Sequence, residues 1–204
     1  MTTNEDRQAA LLDALPAVTE AELRTLRERL AEAAGAGGIL DVAYRTLDTP
    51  VGSLLLAATE RGLVRVAYDS QGHEQVLAGL AAAISPRILQ APRRLDPAAR
   101  ELDEYFSGRR RAFDLELDLS LATGFRRVVL GCLPGIAYGR TASYGAVAAA
   151  AGSPRAVRAV GTACATNPLP VVVPCHRVVR ADGSADRYLG GPAAKRLLLN
   201  LETA

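Results

Sequence analysis

The 204-residue chain holds three cysteines and two histidines, and one of each stand side by side. Cys175 and His176 follow a proline at the end of a valine run, in "NPLPVVVPCHRVVRADG" at 167–183. The pair couples a nucleophile to a proton acceptor. Thiolate is the reactive form of cysteine, and a thiol of ordinary pKa, ~8.5, is mostly protonated at neutral pH. Adjacent side chains on an extended segment point to opposite faces, so His176 reaches Cys175 only across a bend or an intervening water. A neutral imidazole relay calls for a carboxylate behind it to hold its tautomer. Glu202, at the end of the last helical stretch, is the nominated acid.

An isolated Cys-His pair is more often a buried structural thiol beside a half-exposed histidine. The flanks argue against that here. "NPLP" is stiff, with prolines on both sides of Leu169, and the Asn167 amide can bridge neighbouring backbone groups. "RADG" then turns the chain back, and "YLGGP" places glycines where a backbone can approach a ligand closely.

The elements that must position these residues fall into two halves. Thr19 with Glu22 makes a capping box, and Leu23, Leu26 and Leu30 recur on one helical face until "GAGG" at 35–38. This predicts an amphipathic helix and a linker over 1–38, its leucine stripe packing on the next domain or mediating self-association. From Ile39 the period shortens. "ILDVAYRTL", "GSLLLAAT" and "GLVRVAYD", separated by "DTPVG" and "ERG", predict three strands in hairpin succession. "GHEQVLAGLAAAI" and "PAARELDEYFSG" read as helices, and "AFDLELDLS" as an edge strand. Residues 39–120 are thus expected to form a small α+β domain with an antiparallel sheet. From 121 to 204 the texture is helical: "FRRVVLGCLPG", "SYGAVAAAAG", "SPRAVRAVGTACATN" and "PAAKRLLLNLE". The middle pair, joined at Gly152 to Pro154, has the form of a helix-turn-helix, with Ser153, Arg155 and Arg158 toward its second helix.

Charge divides along the same line. Residues 1–120 hold 14 Arg against 19 acids, net −5, while 121–204 hold 10 basic residues against 3 acids, net +7. A basic second half beside an acidic first half points to a polyanion partner for one side, nucleic acid first. The odd cysteine count without a CxxC pair is a reducing-compartment pattern. No basic-then-apolar leader and no apolar run of membrane length is present, so a cytoplasmic location is expected. Cys132 and Cys164 read as small core residues, His73 as a solvated loop residue, and Arg109 to Arg111 as a solvated turn.

"PCHRV" with upstream "NP.P", "SYG" at 143–145, "RAVG" at 158–161 and "Y.GG....K..LL..E" from Tyr188 to Glu202 together resemble the O6-alkylguanine-DNA alkyltransferases, also called methylated-DNA-protein-cysteine methyltransferases. The resemblance is strong from Phe125 to Glu202 and weaker from Tyr44 to Asp118. It implies an RNase H-like N-terminal domain and a winged-helix-like C-terminal domain. It also implies one irreversible transfer of an alkyl group from guanine O6, and activity toward O4-alkylthymine. Cys175 would then be the nucleophile, His176 its base through a water, Glu202 the residue orienting His176, and Asn167 the tie to the segment carrying Cys175. Arg158 would replace the flipped base in the stack, and Tyr144 would rotate the nucleotide and protonate the purine at N3. Ala159 and Gly161 would keep the recognition helix slim enough for the minor groove, where small side chains read little sequence.

The same resemblance implies an alkylguanine pocket of Cys175, Val178, Tyr188, Leu189 and Lys195, with the Leu189 amide available to O6. Arg187 stands where the family commonly has a small or amide residue, and Leu189 where it often has a small polar one. For Lys195 a solvated helix-face lysine is the competing reading. Some members carry zinc in the N-terminal domain, but residues 1–131 hold no cysteine and only His73, so no metal and no cofactor are expected. The partner expected is damaged duplex DNA, bound by a monomer. A cysteine hydrolase and a helix-turn-helix regulator that senses alkylation are the rival readings.

Overall fold

The computed structural model describes residues 19–184 and 188–203. The first element among the described residues, α1 (Glu20–Ala36), starts at the capping box: the Thr19 hydroxyl accepts from the Glu22 amide, and the Glu22 carboxylate accepts from the Thr19 amide. The face that packs is not the leucine stripe. Ala31 and Ala34 are buried against Leu40, Ala43 and Ala91, while Leu26 and Leu30 are 54% and 56% exposed. Alanine lets the helix axis approach the sheet edge closely. Arg93 fastens the same face through Glu28 and Glu32.

Three strands follow, β1 (Val42–Thr49), β2 (Gly52–Thr59) and β3 (Gly62–Tyr68), paired antiparallel in succession. The sheet is mixed, however. After α2 (His73–Ala83), the short strand β4 (Ile88–Gln90) joins β1 in parallel, giving the order β3-β2-β1-β4. A helical crossover delivers a strand parallel to its partner, which hairpin signals do not announce. The expected edge strand over "AFDLELDLS" is reduced to one parallel bridge, Leu63 to Leu117. Asp118 ends it by accepting from the Ser120 amide and opening a 3-10 turn at Leu119–Leu121. Helix α3 (Asp96–Phe106) lies on the sheet and buries Leu102 and Tyr105 completely.

The second half contains α4 (Gly124–Cys132), β5 (Ala142–Ser143), α5 (Tyr144–Ala150), α6 (Val157–Ala165), β6 (Val178–Val179) and α7 (Gly191–Thr203). Helices α5 and α6 form the helix-turn-helix, turning at Gly152 with φ +74°. Val129, Leu130, Val147, Val160 and Ala163 pack between α4, α5 and α6. That core is continuous with the one formed by Leu54, Leu56, Val66, Leu102 and Tyr105 of the first half. Both halves therefore share one apolar interior. Among the described residues no helix is long and apolar enough to cross a membrane.

Three minor expectations need correction. His73 is not in a loop: it opens α2, half-buried, with Nε2 enclosed. Cys132 is half-buried rather than core, though Cys164 is buried. Arg109 and Arg111 are exposed in a turn as expected, Arg111 lying over the Tyr138 ring at 5.6 Å, but Arg110 is half-buried and pairs with Glu104 and Glu101.

Candidate active site

The valine run is not a strand. Residues 168–174 form turns, and Val171 has φ +74°, a backbone region that a β-branched residue enters only at a cost of ~1–3 kcal/mol. The Asn167 side chain holds this segment. Its Oδ1 accepts from the Leu169 amide at 3.0 Å, and its Nδ2 donates to the Val173 carbonyl at 2.9 Å and to Cys175 Sγ at 3.1 Å. A buried amide thus supplies what a neighbouring strand would have supplied, and it ends on the thiol.

Cys175 to Arg177 form a 3-10 turn, the bend that adjacent nucleophile and base require. Both side chains are buried, Cys175 at 2% and His176 at 0% exposure. Burial pushes the Cys175 thiol up to about 11, against the opposing pull of the Asn167 hydrogen bond and the Lys195 charge. The resting group is a thiol, and forming its thiolate at neutral pH requires a base.

His176 Nε2 meets Glu202 Oε1 at 2.9 Å. Burial alone would raise the Glu202 carboxyl, but hydrogen bonds from His176 and Arg177 override it and hold the group at about 2. An ionised carboxylate only accepts, so Nε2 carries the imidazole proton and Nδ1 carries the lone pair. Nδ1 is enclosed and has no hydrogen-bond partner among the described residues. Burial lowers the imidazole pKa, outweighing the Glu202 hydrogen bond, which acts to raise it. The ring is therefore neutral at neutral pH, its basic nitrogen unengaged.

Two residues at Glu202 had no role assigned from sequence. Arg177 donates from Nε and Nη2 to the carboxylate at 2.9 Å each and from Nη1 to the Ile136 carbonyl at 2.6 Å. Tyr105, from α3 in the first half, donates its hydroxyl to Glu202 Oε1 at 2.7 Å. Arg177 stands inside the quoted motif and was legible as a neighbour of the pair. Nothing in the sequence marks Tyr105 beyond its helical position.

The pairing of β5 with β6, Ala142 to Val178 and Ser143 to Val179, aligns the start of α5 with the residues just after Cys175 to Arg177. Tyr144, first in α5, is thereby brought to the site half-buried, with Ser143 capping the helix through the Ala146 amide. Lys195 is not a solvated helix-face lysine: it is 1% exposed and donates to the Val178 carbonyl at 2.7 Å. Tyr188 and Leu189 lie half-buried before α7, and the Tyr188 ring stands 6.3 Å from that of His176. Arg187 lies outside the described residues. On the helix-turn-helix, Arg155, Arg158 and Ala159 are exposed, Ser153 and Gly161 half-buried.

A buried thiol, a neutral imidazole with an anionic carboxylate behind it, and an adjoining helix-turn-helix define a DNA-binding protein with a thiol served by its own base. Family models agree over nearly all of the two halves. Residues 42–119 match the ribonuclease-like domain of 6-O-methylguanine DNA methyltransferase, and residues 124–204 match its DNA-binding domain. The chain belongs to the methylated-DNA–protein-cysteine methyltransferase family. It is 40% identical over 161 residues to the member from Mycolicibacterium paratuberculosis, covering 79% of this chain and 92% of that protein. The constitutive enzyme of Bacillus subtilis is 36% identical over 163 residues, 78% of this chain and 94% of its own. The crystal structure of Mycobacterium tuberculosis OGT in complex with DNA superposes with TM-score 0.67 at 38% identity, covering 78% of this chain and 92% of that one.

Proposed function

We propose that the protein repairs DNA by transferring the alkyl group of O6-alkylguanine, and of O4-alkylthymine, irreversibly to its own Cys175. The observation that carries this reading is the lone pair of His176 Nδ1, without a hydrogen-bond partner among the described residues and one residue along the chain from a thiol that is protonated at rest. In the step proposed, the thiol proton passes through a water to Nδ1, and Sγ forms a bond to the alkyl carbon. The bond from that carbon to O6 breaks, its electron pair stays with the purine, and Tyr144 protonates N3. His176 and Tyr144 then exchange their protons with solvent. The S-alkyl bond has no leaving route, so each molecule acts once.

The target atom is hidden in duplex DNA, and extruding a nucleotide costs a few kcal/mol. Arg158, exposed on the first turn of α6, is the side chain assigned to fill the gap left by the base. Gly161 supports approach by the minor groove, because a Cβ there would meet nothing within 4 Å and internal packing does not demand glycine. In this reading the protein acts as a monomer in the cytoplasm, with residues 39–120 bracing the site and 121–204 reading DNA and accepting the alkyl group.

The test is intact-protein mass spectrometry after incubation with a duplex containing one O6-methylguanine, followed by peptide mapping. One methyl group on Cys175, saturating at one per protein, is expected. A folded, DNA-binding protein that gains no adduct, or one that turns over repeatedly, overturns the reading.

A further inference from the structure

Tyr68 ends β3 in the first half, is 2% exposed, and lies against the pocket segment of the second half. Its hydroxyl is 2.9 Å from the Tyr188 hydroxyl, and the two rings meet edge to face at 5.8 Å. Its ring also covers Gly190: a Cβ on that glycine would stand 2.5 Å from Tyr68 Cζ. One side chain therefore holds Tyr188 and Gly190, the residues on either side of Leu189. The Leu189 amide is the donor assigned above to guanine O6.

We propose that Tyr68 is a specificity-determining residue that limits the size of the alkyl group by fixing how far the 188–190 segment can recede from Cys175. The inference rests on the proposed alkyl transfer. Large groups on O6 need room between the thiol and the segment carrying the amide. Here that segment cannot withdraw, because Tyr68 is backed by the sheet: its strand position pairs with Leu54, and its amide donates to Gln71 Oε1 at 3.1 Å. Tyr68 is close enough to Cys175 that a thiolate there would push its hydroxyl pKa up, with burial the larger cause of the same shift. The hydroxyl therefore stays protonated and able to bond with Tyr188. Neither the catalytic motif nor the helix-turn-helix contains this residue.

The experiment compares single-turnover rate constants for duplexes carrying O6-methylguanine and O6-benzylguanine, in the full chain, in Tyr68→Phe and in Tyr68→Ala. The benzyl-to-methyl ratio is insensitive to the fraction of protein folded. It is expected to rise in Tyr68→Phe, which keeps the ring but loses the hydroxyl pair. In Tyr68→Ala it should rise by at least about tenfold, the lower end of what one methylene of pocket space is worth. Gly190→Ala supplies the second arm: alone it should slow methyl transfer, and Tyr68→Ala in the same chain should restore part of that loss. A ratio unchanged in both Tyr68 variants, or Gly190→Ala effects independent of Tyr68, overturns the inference. Failure of the unaltered protein to take up methyl at all would instead sink the transfer reading on which it rests.

Discussion

In the proposed transfer Cys175 reacts only when His176 takes its proton, because burial keeps the thiol at about 11 and not near neutrality. The condition of the imidazole therefore controls the rate. Burial holds the His176 pKa below its ordinary value, so the base is already neutral at neutral pH. Transfer to free O6-benzylguanine should hold its rate from pH 7.5 down to about 6.5, the ordinary histidine value, and decline only in more acid solution. Glu202 acts in the opposite sense on the same ring, raising its pKa, and fixes the tautomer that leaves Nδ1 basic. Glu202→Gln should lower the plateau by about 10²-fold, the lower end of a general-base contribution. It should also shift the acid limb to still lower pH. Quench-flow rates across pH check both; an acid limb that moves upward would show that Glu202 does not act on the ring in this way.

Two helices outside the thiol segment carry consequences at their own scale. If Arg158 on α6 serves extrusion of the nucleotide, its loss matters only where there is a duplex to open. Arg158→Ala should slow transfer from duplex O6-methylguanine by about 10- to 100-fold, in line with a flipping cost of a few kcal/mol, with little change on free O6-benzylguanine. Equal losses on both substrates would remove that role. For α1, the buried alanines and not the leucines anchor the helix. Leu26→Ala and Leu30→Ala should each alter stability by less than about 0.5 kcal/mol, as exposed positions do. Ala34→Asp, placing a charge at 4% exposure, should lower the melting temperature clearly. Calorimetry on the three variants distinguishes the two faces.

Across the whole molecule, the first half is joined to the reaction site through its interior. Tyr105 reaches Glu202, Tyr68 reaches Tyr188, and the Val66 amide donates to the Pro168 carbonyl at 2.8 Å. Tyr105→Phe keeps the ring against Phe106, Phe113 and Tyr138 but removes a hydrogen bond to a buried carboxylate. It should cost about 1.5–3 kcal/mol in denaturant unfolding, the usual worth of a bond to a charged group. A loss below about 0.5 kcal/mol would mean that water replaces the hydroxyl. Much of this architecture was legible beforehand where the signal is local. The capping box of α1, the three hairpin strands, the helix-turn-helix glycine and the cysteine-histidine motif each lie within a few residues of one another. What escaped depends on partners far along the chain. The valine run looks like a strand, but Asn167 folds it into turns; β4 pairs in parallel after a crossover. The leucines of α1 look like its packing face until the sheet edge is in place. By itself, then, the sequence determined the family and the candidate nucleophile, base and carboxylate, because reaction chemistry restricts residue type and the motifs keep their order along the chain. Only the tertiary structure decided that Tyr105 reaches Glu202 and that Tyr68 meets Tyr188. Hydrogen bonds between residues 97 or 120 positions apart leave no periodic or local trace, and only the shared core brings such residues together.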